Sequence, residues 1–258
     1  MENALNFTLL LTACIEPKQF IKSVKRSDPY VRLNDYKIAL TKWLHHKDER
    51  ITKIIFAENS GFPLDEIMQI FKHQNIYNRE ILVIQEIAKN APAEFHYGYN
   101  EIELIQDVIF KHLSNNKNEF IIKVTGRIFF PSISKLLNKF HAEMLFIADS
   151  RKIKFLSYNR NYVLTNLFVC NVDFFKNYLT NISEVMRVNG IKHLETVFMY
   201  VLFPLYLKDP MKIKLRFPVN IDPIGIGAHW NVNYQSFTKV IGSTIRGIAR
   251  KFISQIWL

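Results

Sequence analysis

Arg127, Asp149 and Arg151 each stand where a short apolar run gives way to charge. Fixed cations neutralise phosphate, and a carboxylate oxygen is a hard ligand suited to Mg²⁺ or Mn²⁺. Together the three are equipment for holding a phosphorylated, metal-chelated small molecule. The runs before them are Phe120-Ile121-Ile122-Lys123-Val124 and Met144-Leu145-Phe146-Ile147-Ala148. Short β-rich runs bounded by polar residues read as buried strands of an α/β sheet. In such sheets ligands gather at the carboxyl ends of the strands. A solvated strand end is also charged, so both readings are open at this point.

Other polar clusters follow predicted strands in the same manner. They are Thr12 with Glu16, Glu58-Asn59-Ser60-Gly61, His96-Tyr97-Gly98-Tyr99-Asn100-Glu101-Ile102-Glu103, and Lys123 with Gly126-Arg127. Each has a plain alternative. Glu58 to Gly61 is a good turn sequence in its own right. Glu101 and Glu103 suit the first turn of a helix, where acids favour the helix dipole. Gly126 inside a strand-like run marks a bulge or a close backbone approach.

The elements that must position these residues are legible from periodicity. Phe7 to Ile15 reads as a central strand, Ile51 to Ala57 as a second and Glu80 to Ile87 as a third. Between them lie an amphipathic stripe from Arg32 to Leu44, with Asp28-Pro29 before it, and a short helix from Pro63 to Phe71. Glu101 to Leu113 is a further helix, and Leu194 to Leu207 is strongly apolar. Alternation of strand and helix predicts an α/β fold with a mostly parallel sheet covered on both faces, followed by an α-rich C-terminal part. Asn159 to Leu179 is aromatic and mixed and suggests no single element.

The chain has 258 residues, 48% hydrophobic and 22% charged, enough for one large α/β domain with an extension. Cys14 and Cys170 sit in apolar runs and read as buried free thiols. Met1 to Asn6 lacks a positively charged n-region, and no apolar stretch approaches the roughly 20 residues of a spanning helix. A cytoplasmic protein is expected. The formal net charge of +11 asks for an anionic partner: nucleic acid, anionic lipid or an anionic substrate. No zinc-finger, RNA-recognition or helix-turn-helix pattern occurs, so no specific nucleic-acid partner is expected. Neither G-x-G-x-x-G nor a P-loop occurs, nor H-E-x-x-H, nor G-x-S-x-G.

In their order along the chain, four motifs resemble bacterial GT-A-type glycosyltransferases of surface polysaccharide and lipopolysaccharide biosynthesis. They are Leu11-Thr12 to Pro17, Glu58 to Gly61, Gly98 to Glu103 and Lys123 to Arg127. The resemblance spans most of the first 150 residues and thins afterwards. It implies a GT-A-like fold in which residues 1–150 bind the nucleotide sugar, 151–234 form an acceptor-side or lid half of the same domain, and 235–258 form a basic amphipathic helix. It also implies a donor held by Thr12, Glu58, Asn59, Glu101, Lys123, Arg127 and Arg151. Thr12 and Asn59 would touch base and ribose, with Arg127 near the diphosphate.

The family places an Asp-x-Asp where this chain has Ala148-Asp149-Ser150-Arg151, with a single carboxylate. Asp149 is thus the expected catalytic and metal-binding carboxylate. The divalent cation, Mg²⁺ or Mn²⁺, is left open, because Arg127 or Arg151 could neutralise the diphosphate instead. Glu195, opening the apolar helix, matches the acid that inverting members use as general base, and an apolar setting would raise its pKa for that task. It also suits a plain helix-start acid. His229, in a Gly-rich loop, resembles a late His that some members use as a metal ligand or phosphate contact, or it is a surface residue.

In the tail, Phe237, Ile241, Ile245, Ile248, Phe252 and Ile256 form one helical stripe, with Lys239, Arg246 and Arg250 on another face. After Asp222 there is no acid. This predicts either an interfacial helix on an anionic membrane or a stripe packed on the protein's own core. The leading expectation is a peripheral glycosyltransferase at the inner face of the membrane, acting on a lipid-linked or growing glycan. The alternative is a non-enzymatic binder of anionic polymer or membrane. Convergence of Lys123, Arg127 and Arg151 on one cleft would favour the enzyme.

Overall fold

The computed structural model describes residues 5–17, 25–87, 95, 97–113, 119–152, 161–227 and 231–252. The first half alternates as expected: β1 (Phe7–Ala13), α1 (Pro29–Leu44), β2 (Ile51–Glu58), α2 (Asp65–Gln74), β3 (Glu80–Gln85), α3 (Gly98–His112) and β4 (Phe120–Thr125). A short strand β5 (Ile128–Phe129) and helix α4 (Ile133–Leu137) lead to β6 (Phe146–Lys152) and the long β7 (Asn161–Asn171). Helix α5 (Val172–Phe174) runs into a π-helical turn over Phe175–Leu179, followed by α6 (Ile182–Val188) and α7 (Leu194–Lys208). Strands β8 (Ile213–Lys214), β9 (Ile224–Gly227) and β10 (Val232–Asn233) precede α8 (Phe237–Phe252).

Seven strands form one sheet in the order β3-β2-β1-β4-β7-β6-β8. Strands β3, β2, β1 and β4 are parallel, β7 is antiparallel to both β4 and β6, and β6 is parallel to β8. The expected mostly parallel α/β sheet, flanked by helices, is what the chain forms. Period-two alternation divides the core. Leu9, Leu11, Phe56, Ile122 and Val124 pack with α1 and α4 on one face, while Leu10, Ile55 and Ile121 pack with α3 and α7 on the other. Lys123 and Thr12 belong by this alternation to the α3/α7 face. That is the face on which the site is built.

Local signals explain several boundaries. Asp28 caps α1, its Oδ1 accepting from the N–H groups of Tyr30 and Val31 at 2.9 Å, with Pro29 at the first helical position. Helix α3 starts at Gly98, one turn before the expected Glu101. Strand β7 carries no clear sequence signal, because its run from Tyr162 to Cys170 mixes polar Thr165 and Asn166 into apolar residues. Position 150 falls within β6, so both halves contribute to one sheet. Cys170 is a buried free thiol, and Cys14 is half-buried and free. Among the described residues no helix is long and apolar enough to cross a membrane.

Candidate active site

The carboxyl ends of β1, β2 and β4 open into one cleft. Thr12, Asn59, Glu101, Thr125, Arg127 and Glu195 line it, together with Cys14, Arg32, Tyr36, Ser60, Tyr97, Asn100 and Tyr234. Two close approaches bring these elements together. Gly126 donates to Thr12 O at 2.8 Å, and a Cβ there would stand 3.0 Å from that oxygen and 3.3 Å from the Tyr36 ring. Gly98 packs so tightly on α7 that a Cβ would stand 2.7 Å from Leu194 Cβ. The first contact folds the end of β4 onto the end of β1. The second sets Glu101 and Glu195 into the same cleft.

Glu58 is completely buried and serves the turn. Its carboxylate accepts from Ile15 N at 3.0 Å, Ser60 N at 2.9 Å and Gly61 N at 2.9 Å, and from the Ser60 hydroxyl. Gly61 has φ +82, a conformation that glycine adopts without a Cβ penalty. The turn reading of Glu58 therefore describes its contacts, and only Asn59 and Ser60 of that cluster face the cleft. Asn59 Nδ2 donates to Asn100 O at 3.2 Å, while its buried Oδ1 has no donor among the described residues. An orphaned buried acceptor is costly unless something supplies its hydrogen bond.

Lys123 lies beneath the cleft rather than in its wall, at 0% exposure. Its Nζ donates to Glu101 Oε1 at 2.7 Å and to Thr165 O at 2.6 Å. Glu101 Oε1 also accepts from Thr12 Oγ1 at 2.8 Å. Burial works to raise the Glu101 carboxyl, but the Lys123 ammonium and the two hydrogen bonds outweigh it, holding Glu101 below the usual carboxylate range. Burial likewise pulls the Lys123 ammonium below its usual value.

Arg127 donates Nε to Ile226 O at 3.1 Å, and no carboxylate pairs with its guanidinium among the described residues. Burial works against its charge, but the surrounding Tyr36, Tyr234 and Tyr97, with Glu101, outweigh burial and keep it firmly protonated. Arg32, by contrast, is spent on backbone, donating to the carbonyls of Cys14 and Arg26. Glu195 is half-buried at the start of α7. Burial raises its carboxyl above the ordinary range, and the nearby negative Glu101 adds to the rise. Burial also pushes the Cys14 thiol up to about 11, so it is not a ready nucleophile.

Asp149 and Arg151 stand elsewhere. Both lie on β6, two strands from β4, with Arg151 Nε 3.4 Å from Asp149 Oδ2, and neither lines the cleft. A register shift between Ala148 and Ser150 places Asp149 at an irregularity inside the strand rather than at its end. His229 lies outside the described residues. Among the described residues no three His, Cys, Asp or Glu side chains gather as a metal cage. Asp149, the single expected carboxylate, contacts an arginine, and no step below runs through a metal.

Of the three cations whose convergence would favour an enzyme, Arg127 alone faces the cleft, with Lys123 directly below. Tyr36 reads in the sequence as part of an apolar stripe, and nothing around Tyr234 marks it. Tyr97 and Asn100 lie within or beside the Gly98 to Glu103 motif, and that motif is the signal that finds them.

No protein-family model and no curated protein matches the sequence. Solved structures superpose at low similarity. A 4-diphosphocytidyl-2C-methyl-D-erythritol synthase of Anaerococcus prevotii is 12% identical with a TM-score of 0.48, over 94% of this chain and 96% of that one. A glycosyltransferase of Streptococcus pneumoniae is 9% identical with a TM-score of 0.48, over 83% and 45%. A cytidylyltransferase of Leptospira borgpetersenii is 10% identical with a TM-score of 0.44, over 83% and 78%. By name these are nucleotidyl- and glycosyltransferases. At such identities and scores the likeness carries no argument about chemistry.

Proposed function

We propose that this protein is a nucleotide-sugar-dependent glycosyltransferase acting on a lipid-linked or growing surface glycan. One observation carries the reading: the Arg127 guanidinium, unpaired with any carboxylate of the described residues, at the strand-end cleft between Thr12, Asn59 and Glu101. A fixed cation in a partly desolvated cleft is the charge that a diphosphate leaving group requires. The orphaned Oδ1 of Asn59 would be satisfied by an N–H of the base.

In the step as we read it, Glu195 takes the proton of the acceptor hydroxyl while that oxygen attacks the anomeric carbon. The bond from that carbon to the phosphate oxygen breaks, and the nucleoside diphosphate leaves with the electron pair beside Arg127. A raised carboxyl is the right kind of base for an alcohol near neutral pH. A single displacement of this kind inverts the anomeric centre.

The membrane side of the reading rests on α8. Val240, Ile241, Ile245 and Ile248 are exposed, Ile245 at 62%. The helix meets the body of the protein instead through Ser243, whose Oγ donates to Asp222 Oδ1 at 2.8 Å, and through Gly247 beside Asn220. An amphipathic helix with its apolar stripe outward, in a tail with four basic residues and no acid after Asp222, suits the surface of an anionic bilayer. This corresponds to a peripheral enzyme at the inner face of the membrane.

The test is a panel of UDP-, GDP- and CMP-sugars scored by shift in melting temperature and by turnover. At least one is expected to stabilise the fold and be hydrolysed or transferred. If none does either, the reading is wrong. For α8, Ile245→Asp with Ile248→Asp is expected to weaken co-sedimentation with phosphatidylglycerol vesicles by about tenfold or more. Unchanged sedimentation would remove the membrane from the account.

A further inference from the structure

Lys123 is an unexpected residue for its position. It stands in the middle of the sheet, opposite Leu10 of the parallel β1 and Phe168 of the antiparallel β7, where strands buried on both faces are normally continuous apolar runs. With 0% exposure it cannot touch a ligand in the cleft. A buried ammonium persists only with close partners. Its partners are Glu101 Oε1 at 2.7 Å and Thr165 O at 2.6 Å.

Glu101 is held in an asymmetric way. Its Oε1 receives both the Lys123 ammonium and the Thr12 hydroxyl, and its Oε2 has no donor among the described residues. The side chain keeps 17% exposure and lines the cleft. An ionised carboxylate only accepts hydrogen bonds. It repels phosphate and accepts hydrogen bonds, so it suits an uncharged donor such as a hydroxyl group.

We infer that Glu101 reads the hydroxyl groups of the bound ligand through Oε2, and that buried Lys123 is the positioning residue that fixes this carboxylate. The ligand chemistry is a polyol: the ribose of a nucleotide or the transferred sugar. This rests on the nucleotide-sugar reading above. The charged and titratable groups facing Glu101 are Lys123 and Arg127 from β4 and its turn, Cys14 from the end of β1, Tyr97 from the start of α3, and Glu195 from α7. Lys123 is the only cation among them in hydrogen-bond contact with Glu101. Removing it leaves a buried carboxyl that takes up a proton more readily.

Calorimetric titration of the full chain with UDP-glucose, GDP-mannose, UDP, GDP and their deoxyribose counterparts tests this, between about pH 5 and pH 8. For UDP-glucose and GDP-mannose, whose phosphates do not titrate in this range, wild-type affinity is expected to be nearly flat. Glu101→Gln is expected to lose about tenfold in affinity, the scale of one hydrogen bond to a charged group. Loss of the preference for UDP over deoxy-UDP assigns Oε2 to the ribose. A loss confined to UDP-glucose or GDP-mannose assigns it to the sugar.

Lys123→Met is expected to bind weakly at low pH and to recover as pH rises and Glu101 ionises. The double variant Lys123→Met with Glu101→Gln removes the charge from both partners, is expected to fold, and should bind weakly without pH dependence. It carries the test if the single lysine variant is unstable. Wild-type affinity of Glu101→Gln for every probe would overturn the inference while leaving the nucleotide-sugar reading intact. A flat pH profile for a folded Lys123→Met would reduce Lys123 to a structural role. Absence of binding by wild type to any probe would overturn both.

Discussion

At the end of β4 the chain turns at Gly126 against Thr12 O, and the turn delivers Arg127 into the cleft with no carboxylate paired to it among the described residues. In β6 Asp149 is buried at a register shift inside the strand, and Arg151 Nε stands 3.4 Å from its carboxylate. The two segments look alike as sequence: an apolar run, then charge. They differ in what lies beside them. Strand β4 is flanked by β1, whose end is open and polar, whereas β6 is flanked by β7 and the short β8 at the rim of the sheet. Charge at a strand end therefore lines a cleft only where neighbouring strand ends leave room for one. Where they do not, it is balanced locally.

The comparison can be broken most sharply at Glu195, which the β4-side cleft recruits from α7. Glu195→Gln is expected to lower kcat by about 10²–10⁴ with donor affinity unchanged, as loss of a general base does. The wild-type rate should also rise with pH through the raised Glu195 pKa, above the ordinary carboxylate range, because only the ionised form accepts a proton. A rate independent of pH in that region, or an unaffected Gln variant, would return Glu195 to the role of a helix-start acid.

The next largest effect separates the two arginines. Arg127→Met should weaken nucleotide diphosphate binding by about 10–100-fold, the value of a charge-assisted contact to phosphate. Arg151→Met should change it by no more than about twofold, since Arg151 does not line the cleft. Equal losses in both variants, measured by calorimetry, would mean that the β6 segment also reaches the donor.

Asp149 gives the smallest expected change and the finest test. Asp149→Ala should leave donor affinity and turnover within about twofold while lowering the melting temperature, because it removes a buried carboxylate from its local partners. Turnover should also survive EDTA. If Asp149→Ala or EDTA abolished activity with the fold intact, the β6 carboxylate would be a metal ligand after all, and the two strand ends would have to be treated alike.

The parallel half of the sheet is largely legible in the sequence. Phe7 to Ala13, Ile51 to Glu58 and Phe120 to Thr125 are dense β-rich runs, and Asp28-Pro29 announces α1 by a capping signal that acts over a few residues. Thr12, Asn59, Glu101, Arg127 and Glu195 are each identifiable as polar residues at element ends. Strand β7 is hidden because Thr165 and Asn166 interrupt its apolar pattern, and because an antiparallel insertion between β4 and β6 depends on long-range pairing. For the C-terminal stripe of alternating apolar and basic positions, periodicity identifies the helix but not its orientation. Only the tertiary structure shows that Ile241, Ile245 and Ile248 are exposed while Ser243 and Gly247 meet the body.

What the sequence determined by itself is therefore local: the strand and helix types, the turn at Glu58 to Gly61, and the residue kinds available at each end. Partnership was decided in three dimensions. Lys123 and Glu101 are 22 positions apart, and Thr12 is 89 positions from Glu101, yet one carboxylate oxygen joins all three. Hydrogen bonds and ion pairs act over a few ångströms, and chain separation carries no information about which groups come that close. The order β3-β2-β1-β4-β7-β6-β8 placed Arg127 at an open cleft and Asp149 beside its own arginine, because strand order is fixed by packing of whole elements rather than by any residue's own chemistry.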